Sequence, residues 1–215
     1  IFDTSWHLPN SNRYSLNEFE NTHIKNANFF DIDKNSNQES NFPHMLPVKK
    51  CWEKIMSEYG VKNTDHIIVY DNSDVISSCR VWYNFLYFNH NPDLISILDG
   101  GLKKWLKEKR ETTTIVRKYE NSSYKADENS NLVLDKKQII SNIKSKSFEL
   151  IDARNKERFL GLQVEPRKEL KSGNIEGSKN LPFTILINDD RTFKNKEELS
   201  SIFKSVKIDT NKEIA

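Results

Sequence analysis

The 215-residue chain has a globular composition, with 36% hydrophobic and 30% charged residues, and its length suits one large domain or two of about 100 residues each. The 33 basic and 31 acidic side chains leave a net charge of +2, which gives no electrostatic reason to expect nucleic acid as a partner. The longest apolar stretch, 81–88, is interrupted by Asn84 and is far shorter than the ~20 residues of a membrane helix, so no membrane partner is predicted.

Strands and helices alternate through the first half of the chain. In chain order, the hydrophobic patterns predict a helix, a strand, a serine-capped helix, a strand and a short helix, over residues 48–60, 66–71, 77–90, 94–101 and 102–110. The two strands are short, apolar and β-branched, as is typical of buried parallel strands, and Gly60 is placed to end the first helix. This alternation predicts a parallel α/β sheet with helices on its faces.

A polar stretch rich in Ser, Thr and Asn, 111–131, then interrupts the pattern. It has no helical stripe, so we interpret 116–132 as a linker between a first domain, 1–115, and a second domain, 133–215. A helix with Asp135 as its N-cap opens the second domain, and a new strand follows it.

The second half repeats features of the first. Asp152 follows Asp3 by 149 positions, and Asn174 follows His23 by 151 positions. In each copy a strand ending in Asp precedes a charged loop, a turn and another strand. Two matches in the same order at nearly the same offset favour an internal repeat over two unrelated α/β units.

The ordered motifs resemble the rhodanese family of sulfurtransferases in its tandem two-domain form. In the first half they are "DTSWHLP", "FFDID", "PHMLP" and "LDGGLKKW", and in the second "LIDARNKERFLG", "NIEGSKNLPF" and "NKEIA". "FFDID" followed by "PHMLP" is most similar to the 3-mercaptopyruvate branch. Asn174 stands where the family usually has His, and Ser78-Cys79 where Ala-Pro is common.

The resemblance implies two α/β domains, each a central, mostly parallel sheet flanked by helices, and a sulfur-transfer reaction. A cysteine thiolate would take a sulfur atom from 3-mercaptopyruvate, or from thiosulfate, and hold it as a persulfide. It would then pass the sulfur to a thiophilic acceptor such as cyanide or a thiol. No cofactor is implied, because the sulfur itself is the carried group. Such a cysteine lies between a strand and a helix N-terminus, where N–H groups stabilise an anion and lower a thiol pKa.

The position of that cysteine follows from aligning the halves at the strand before the loop. Lys212 matches Asp65 at an offset of 147, and the same offset carries Asp71 to position 218, three residues past Ala215. An aspartate cannot form a persulfide, so we expect the first domain to be catalytically silent. The second domain is expected to be incomplete at its C-terminus, so the 215-residue polypeptide alone is expected to lack sulfurtransferase activity.

Two arginines match the family's substrate-binding positions. Arg158 lies in "ERFLG" and Arg167 in "VEPRK", and a planar guanidinium suits the carboxylate of mercaptopyruvate. The alternative is a pair of surface arginines in a charged loop. Arg154 is expected instead to pair with an acidic neighbour at the strand end.

Asp33 and His44 are eleven residues apart across a loop and are candidates for a proton-relay pair. The resemblance implies that such a pair works with a serine of the active loop as a third member. A turn-capping aspartate and a solvent-exposed histidine remain the alternative.

The two cysteines, Cys51 and Cys79, are too few for a disulfide framework, which favours a reducing compartment such as the cytoplasm, although a leader before Ile1 is left open. No metal site is predicted, because the chain has no Cys-x-x-Cys or His/Cys ligand cluster. We expect Cys51 to be a buried structural thiol on its helix. Cys79 lies in the first turn of a helix, where a thiol pKa can fall, and a redox role for this cysteine is a minor hypothesis.

The remaining conspicuous residues are expected to determine the fold. They are Asp3, Asp152, His23 and the 99–101 turn. The tryptophans Trp6, Trp52, Trp82 and Trp105 are expected to be core or interface aromatics. Two other functions compete with sulfur transfer. Asp71 suggests a non-catalytic rhodanese-like binding module. A phosphate-binding domain is disfavoured, because this sequence contains no Gly-rich phosphate loop. The sequence does not identify a protein partner.

Overall fold

A four-stranded parallel sheet lies at the centre of the first half of the chain, as the alternating pattern predicts. The strands of this half are β1 (Phe2–Asp3), β2 (His23–Ile24), β3 (Asn28–Phe29), β4 (Ile67–Tyr70), β5 (Ile95–Ile97) and β6 (Thr112–Thr113). Its helices are α1 (Ser15–Asn21), α2 (Lys49–Glu58), α3 (Ser78–Tyr87) and α4 (Gly101–Lys107). The computed structural model describes residues 1–165 and 170–215, in two units, Ile1–Leu132 and Val133–Ala215.

The sheet order is β3-β1-β4-β5, and every pair in it is parallel. Phe2 of β1 lies opposite Asn28 on one side and Val69 on the other, and Ile68 of β4 lies opposite Ser96. The short antiparallel pair β2–β6 forms a separate ribbon. The carboxyl ends of β1 and β4 therefore lie side by side, and the loop after β4 leaves from that edge.

Successive residues of β4 contribute to two different hydrophobic cores. Val69 belongs to the larger core, with Trp52 and Met56 of α2 and Phe85 of α3. Tyr70 belongs to the smaller core, which is centred on α1, β2 and α4. Because side chains alternate across a strand, the helices cover the two faces of the sheet.

The predicted bounds of α2 and α3 are close to those observed, but two details were wrong. Cys51 is exposed, whereas Trp52 and Met56 are buried. One residue along a helix is a rotation of about 100°, which places Cys51 at the edge of the apolar stripe. Ser77 is the N-cap of α3, but its side chain makes no capping hydrogen bond.

Residues 116–132, interpreted above as a linker, lie along the first unit. Tyr124 and Ala126 are buried in the larger core. The backbone N–H groups of Ser122 and Tyr124 donate to the carbonyl and hydroxyl oxygens of Ser57 at 2.9 and 3.0 Å. Tyr124 and Ala126, two positions apart, thus attach this polar segment to the core.

The second unit contains α5 (Lys136–Ser145), β7 (Ile151–Asp152), α6 (Lys156–Phe159), β8 (Lys179–Asn180) and α7 (Lys196–Ser205). Asp135 caps α5 as predicted, in a reciprocal capping box with Gln138. Strands β7 and β8 are parallel, with Ile151 opposite Lys179. Within the described parts of both units, no helix has the length and apolar character needed to cross a bilayer.

Candidate functional site

The loop after β4 closes around its own carboxylate. Asp71 accepts hydrogen bonds from the backbone N–H of Ser73 at 2.8 Å and from that of Ser78, the first residue of α3, at 2.9 Å. The Asp71 residue is only 6% exposed. The positive end of α3 stabilises a buried anion here, and Asp71 supplies that anion in place of the predicted serine cap.

The two serines of this loop hold the start of the chain instead. The backbone N–H of Trp6 donates to Ser73 Oγ at 2.7 Å and to Ser77 Oγ at 3.2 Å, and the two hydroxyls are 2.7 Å apart. The segment after β1 is thereby attached to the loop after β4.

The Cys79 thiol is not activated, so the structure does not favour the minor redox hypothesis for it. Burial raises the pKa of the Cys79 thiol to about 11, and the nearby Asp71 carboxylate adds to the rise. Desolvation and a like charge therefore outweigh the helix N-terminus at this position.

Asp33 and His44 meet across the loop that separates them. His44 Nε2 lies 2.6 Å from Asp33 Oδ1, and both side chains line an open cavity of about 200 Å³. The other carboxylate oxygen of Asp33, Oδ2, accepts a hydrogen bond from Trp6 Nε1 at 2.9 Å. The expected contact between Asp33 and His44 is thus present, and Trp6, which was expected to be a core or interface aromatic, also binds Asp33.

His44 has an unusual backbone for a histidine. Its φ of +59° lies in the left-handed region, and its carbonyl oxygen accepts a hydrogen bond from Arg80 Nη2. Its ring meets the Trp6 ring edge to face, with centroids 4.8 Å apart. The sequence contained no signal for the Arg80 contact, since the two residues are 36 positions apart.

Two arginines of the second unit share one buried carboxylate. Arg158 Nη2 lies 2.5 Å from Glu165 Oε2, and Arg154 Nη1 lies 2.8 Å from Glu165 Oε1. The side chain of Glu165 is 1% exposed, whereas both arginines are more than a quarter exposed. Hydrogen bonds from Arg158, together with both positive charges, lower the pKa of Glu165. The other candidate, Arg167, lies outside the described residues.

Arg154 pairs with an acidic neighbour at the strand end, as expected. Its Nη2 is 2.5 Å from Asp152 Oδ2, and the same nitrogen donates to the carbonyl of Gly173 at 2.7 Å. Hydrogen bonds from Arg154 lower the pKa of Asp152. Glu165, which joins Arg154 to Arg158, was missed, because it is seven residues from Arg158 with no regular element spanning both.

Residues 12–108 match the family model described as "Rhodanese-like domain". The chain is 35% identical over 214 residues to 3-mercaptopyruvate sulfurtransferase of Mus musculus, covering 99% of this chain and 71% of the mouse protein. It is also 35% identical over 215 residues to thiosulfate sulfurtransferase of Bos taurus, with the same coverage of 99% and 71%.

Solved structures give the same result. The crystal structure of SseA from Escherichia coli, described as a 3-mercaptopyruvate sulfotransferase with the "Rhodanese" fold, superimposes with a TM-score of 0.90 at 31% identity. The match covers 100% of this chain and 79% of SseA. The Tum1 protein from Saccharomyces cerevisiae gives a TM-score of 0.88 at 28% identity, over 99% of this chain and 75% of Tum1.

Proposed function

The chain belongs to the rhodanese family of sulfurtransferases, and on that premise we propose that it transfers sulfur from 3-mercaptopyruvate to a thiophilic acceptor. The acceptor is cyanide or a thiol, and the sulfur is held in between as a cysteine persulfide. The observation that carries the proposal is the geometry of the loop after β4, which is built to hold an anion between a strand and a helix N-terminus.

We propose that the two units are tandem copies of this fold, with domains 1–115 and 133–215 and 116–132 between them. Strand register supports the proposal. In the first unit Phe2 lies opposite Val69. The offsets of 149 and 147 carry this pair to Ile151 and position 216, and two residues earlier on both strands are Glu149 and Ile214, which form a parallel bridge.

Asn174, the counterpart of His23 in the proposed repeat, makes a different contact. His23 Nδ1 lies 2.7 Å from the carbonyl oxygen of Phe19, four residues earlier, whereas Asn174 Nδ2 donates to the carbonyl oxygen of Phe159, fifteen residues earlier, at 3.0 Å. The departure from the family's usual histidine is thus accompanied by a different hydrogen-bond partner.

The nucleophile of the proposed reaction is a cysteine at position 218, which the repeat aligns with Asp71. In the first unit a carboxylate is held by two backbone N–H groups of the loop and helix, so that copy is silent in our account. The same two kinds of donor would stabilise a thiolate and then a persulfide in the second copy.

The proposed chemistry has two steps. The cysteine thiolate attacks the sulfur of 3-mercaptopyruvate, the carbon–sulfur bond breaks with its electron pair on carbon, and the resulting enolate takes a proton to give pyruvate. Cyanide or a thiolate then attacks the outer sulfur of the persulfide, and the cysteine leaves as the thiolate.

His44 and the two arginines have separate roles in this scheme. The contact of His44 Nε2 with Asp33 leaves Nδ1 available to take the proton that the donor's sulfhydryl releases and to return it to the enolate carbon, and we assign this transfer to the pair. Arg158 and Arg167 are proposed to bind the donor carboxylate, for which the partly exposed Arg158 must share its guanidinium with Glu165.

Donor choice is tested by kcat/KM of the complete gene product for 3-mercaptopyruvate and for thiosulfate. We expect the value for 3-mercaptopyruvate to be higher, and far faster turnover of thiosulfate would contradict this donor assignment. A residue other than cysteine at position 218 would favour a non-catalytic binding module instead. We further propose a reducing compartment, the cytoplasm, which the two unpaired cysteines support.

A further inference from the structure

We propose that the silent loop of the first unit has a second use, which is to position the Asp33–His44 pair through Trp6 and Arg80. The inference rests on the proposed function, since it assigns positioning residues to the proton-relay pair. Neither Trp6 nor Arg80 touches the reacting atoms in this account. Both act by holding Asp33 and His44 in one geometry.

Trp6 holds both members of the pair. Its indole N–H donates to Asp33 Oδ2 at 2.9 Å, while Asp33 Oδ1 contacts His44 Nε2 at 2.6 Å. Its ring also packs against the His44 ring at an interplanar angle of 86°. Asp33 is otherwise well exposed, with 65% of its side chain accessible, so the carboxylate depends on these two bonds for a fixed orientation.

Arg80 holds the backbone of His44. Its guanidinium donates to the His44 carbonyl oxygen at a residue whose φ is +59°. A non-glycine residue in this left-handed conformation is strained and is retained where its surroundings fix it. Arg80 lies in the first turn of α3, so the His44 backbone is fixed from the helix that follows the silent loop.

The silent loop itself anchors Trp6. Ser73 and Ser77 both accept from the Trp6 backbone N–H, and Asp71 fixes the loop by accepting from Ser73 and Ser78. Asp71, which the repeat aligns with the nucleophile, thus holds the loop in place, and the loop in turn fixes Trp6. A chain of direct contacts runs from Asp71 to His44 within one unit.

The test uses Trp6→Phe, which retains an aromatic ring but removes the N–H donor. Trp105→Phe is the matched control, because the Trp105 indole donates to the carbonyl oxygen of Glu111 at 2.9 Å, away from the pair. Arg80→Met is an independent second variant that removes the bond to the His44 carbonyl.

The first readout needs no turnover and is the pair of ring ¹⁵N resonances of His44 in the 215-residue chain. In the wild type the contact with Asp33 selects the tautomer protonated on Nε2. We expect the two ring nitrogens to move toward a mixed-tautomer average in Trp6→Phe and Arg80→Met, and to stay unchanged in Trp105→Phe. Unchanged resonances in the first two variants would overturn the inference.

The second readout is turnover of 3-mercaptopyruvate by the complete gene product. We expect kcat to fall about tenfold in Trp6→Phe and Arg80→Met, with KM changed less than about twofold, because positioning of a proton-transfer group acts on the chemical step. Wild-type kcat in either variant would refute the positioning role even if the resonances shift. An inactive wild type would refute the proposed function, and the ¹⁵N measurement would still decide the positioning of His44.

Discussion

Asp3 gives the sharpest quantitative prediction, because its pKa is raised whereas the pKa of Asp152, its counterpart in the second unit, is lowered. Asp3 is 2% exposed, and it accepts hydrogen bonds from the Ser5 backbone at 2.9 Å and the Ser5 hydroxyl at 2.5 Å. Burial outweighs these bonds and raises the pKa of Asp3 from 3.8 to about 6. At Asp152, hydrogen bonds from Arg154 lower the pKa instead.

The sign of the effect follows from which state releases its proton first. Below pH 3.8 Asp3 is protonated in both states; above it, the unfolded chain ionises while the folded chain stays protonated until about pH 6. Asp3 therefore lowers the free energy of unfolding as pH rises. The shift corresponds to about 3 kcal/mol in full, of which about 2 kcal/mol develops between pH 4 and 7.

The assay is urea unfolding of the wild type and of Asp3→Asn at pH 4, 5, 6 and 7. Asparagine can still accept both bonds from Ser5 but has no proton to release. We expect the free energy of unfolding of Asp3→Asn, relative to the wild type, to rise by about 2 kcal/mol over this range. A constant difference, or one that falls with pH, would refute the reasoning.

Asp152→Asn is the matched control and should behave in the opposite way. A lowered pKa gives stability that is present above the unfolded pKa and lost as pH falls toward the folded one. The free energy of unfolding that Asp152→Asn loses relative to the wild type should therefore be largest at pH 7 and smaller at pH 4. Both variants shifting in the same direction would show that the pKa assignments are wrong.

Two further substitutions test the first residue of α4 and the arginine assignment. Gly101→Ala should lower the free energy of unfolding by about 2 to 4 kcal/mol in urea, because a Cβ there would lie 2.4 Å from the Asp71 carbonyl oxygen at a φ of +54°. Gly177→Ala has a positive φ but open space around the Cβ, so a loss as large as that of Gly101→Ala would contradict the steric argument. Arg158→Lys should raise KM for 3-mercaptopyruvate about tenfold, because a lysine cannot form the bidentate contact. The exposed Arg117→Lys should leave KM unchanged, and an unchanged KM in Arg158→Lys would remove that arginine from the donor site.

Sequence patterns were sufficient for the fold because the parallel strands are short apolar runs and the helices carry one apolar face each. They were insufficient where the rotation between neighbouring helix residues decides burial, or where opposing electrostatic effects decide a pKa. Cys51 is one residue from the buried Trp52 and is exposed. At Cys79 the helix N-terminus favours a thiolate, but burial and Asp71 dominate and raise the pKa.

The candidate site was predictable only in part for a similar reason. Asp33 and His44 are near in sequence and lie in recognisable motifs, so their pairing could be predicted. Trp6 and Arg80 are 27 and 36 positions from the residues they hold, and no periodicity connects them. Glu165 has no regular spacing to Arg158 either. Contacts of this kind depend on the register of the sheet and the path of its loops, which a single sequence does not specify.

The central claim is that a cysteine aligned with Asp71 carries the sulfur, and intact mass spectrometry tests it most directly. The complete gene product is measured before and after addition of 3-mercaptopyruvate, and then after cyanide. Our account predicts a gain of about 32 Da located at position 218 by peptide mapping and removed by cyanide. The 215-residue chain, whose thiols are Cys51 and Cys79, is predicted to gain no sulfur. An adduct on either of those cysteines, or a fully active product with no adduct at position 218, would contradict the account.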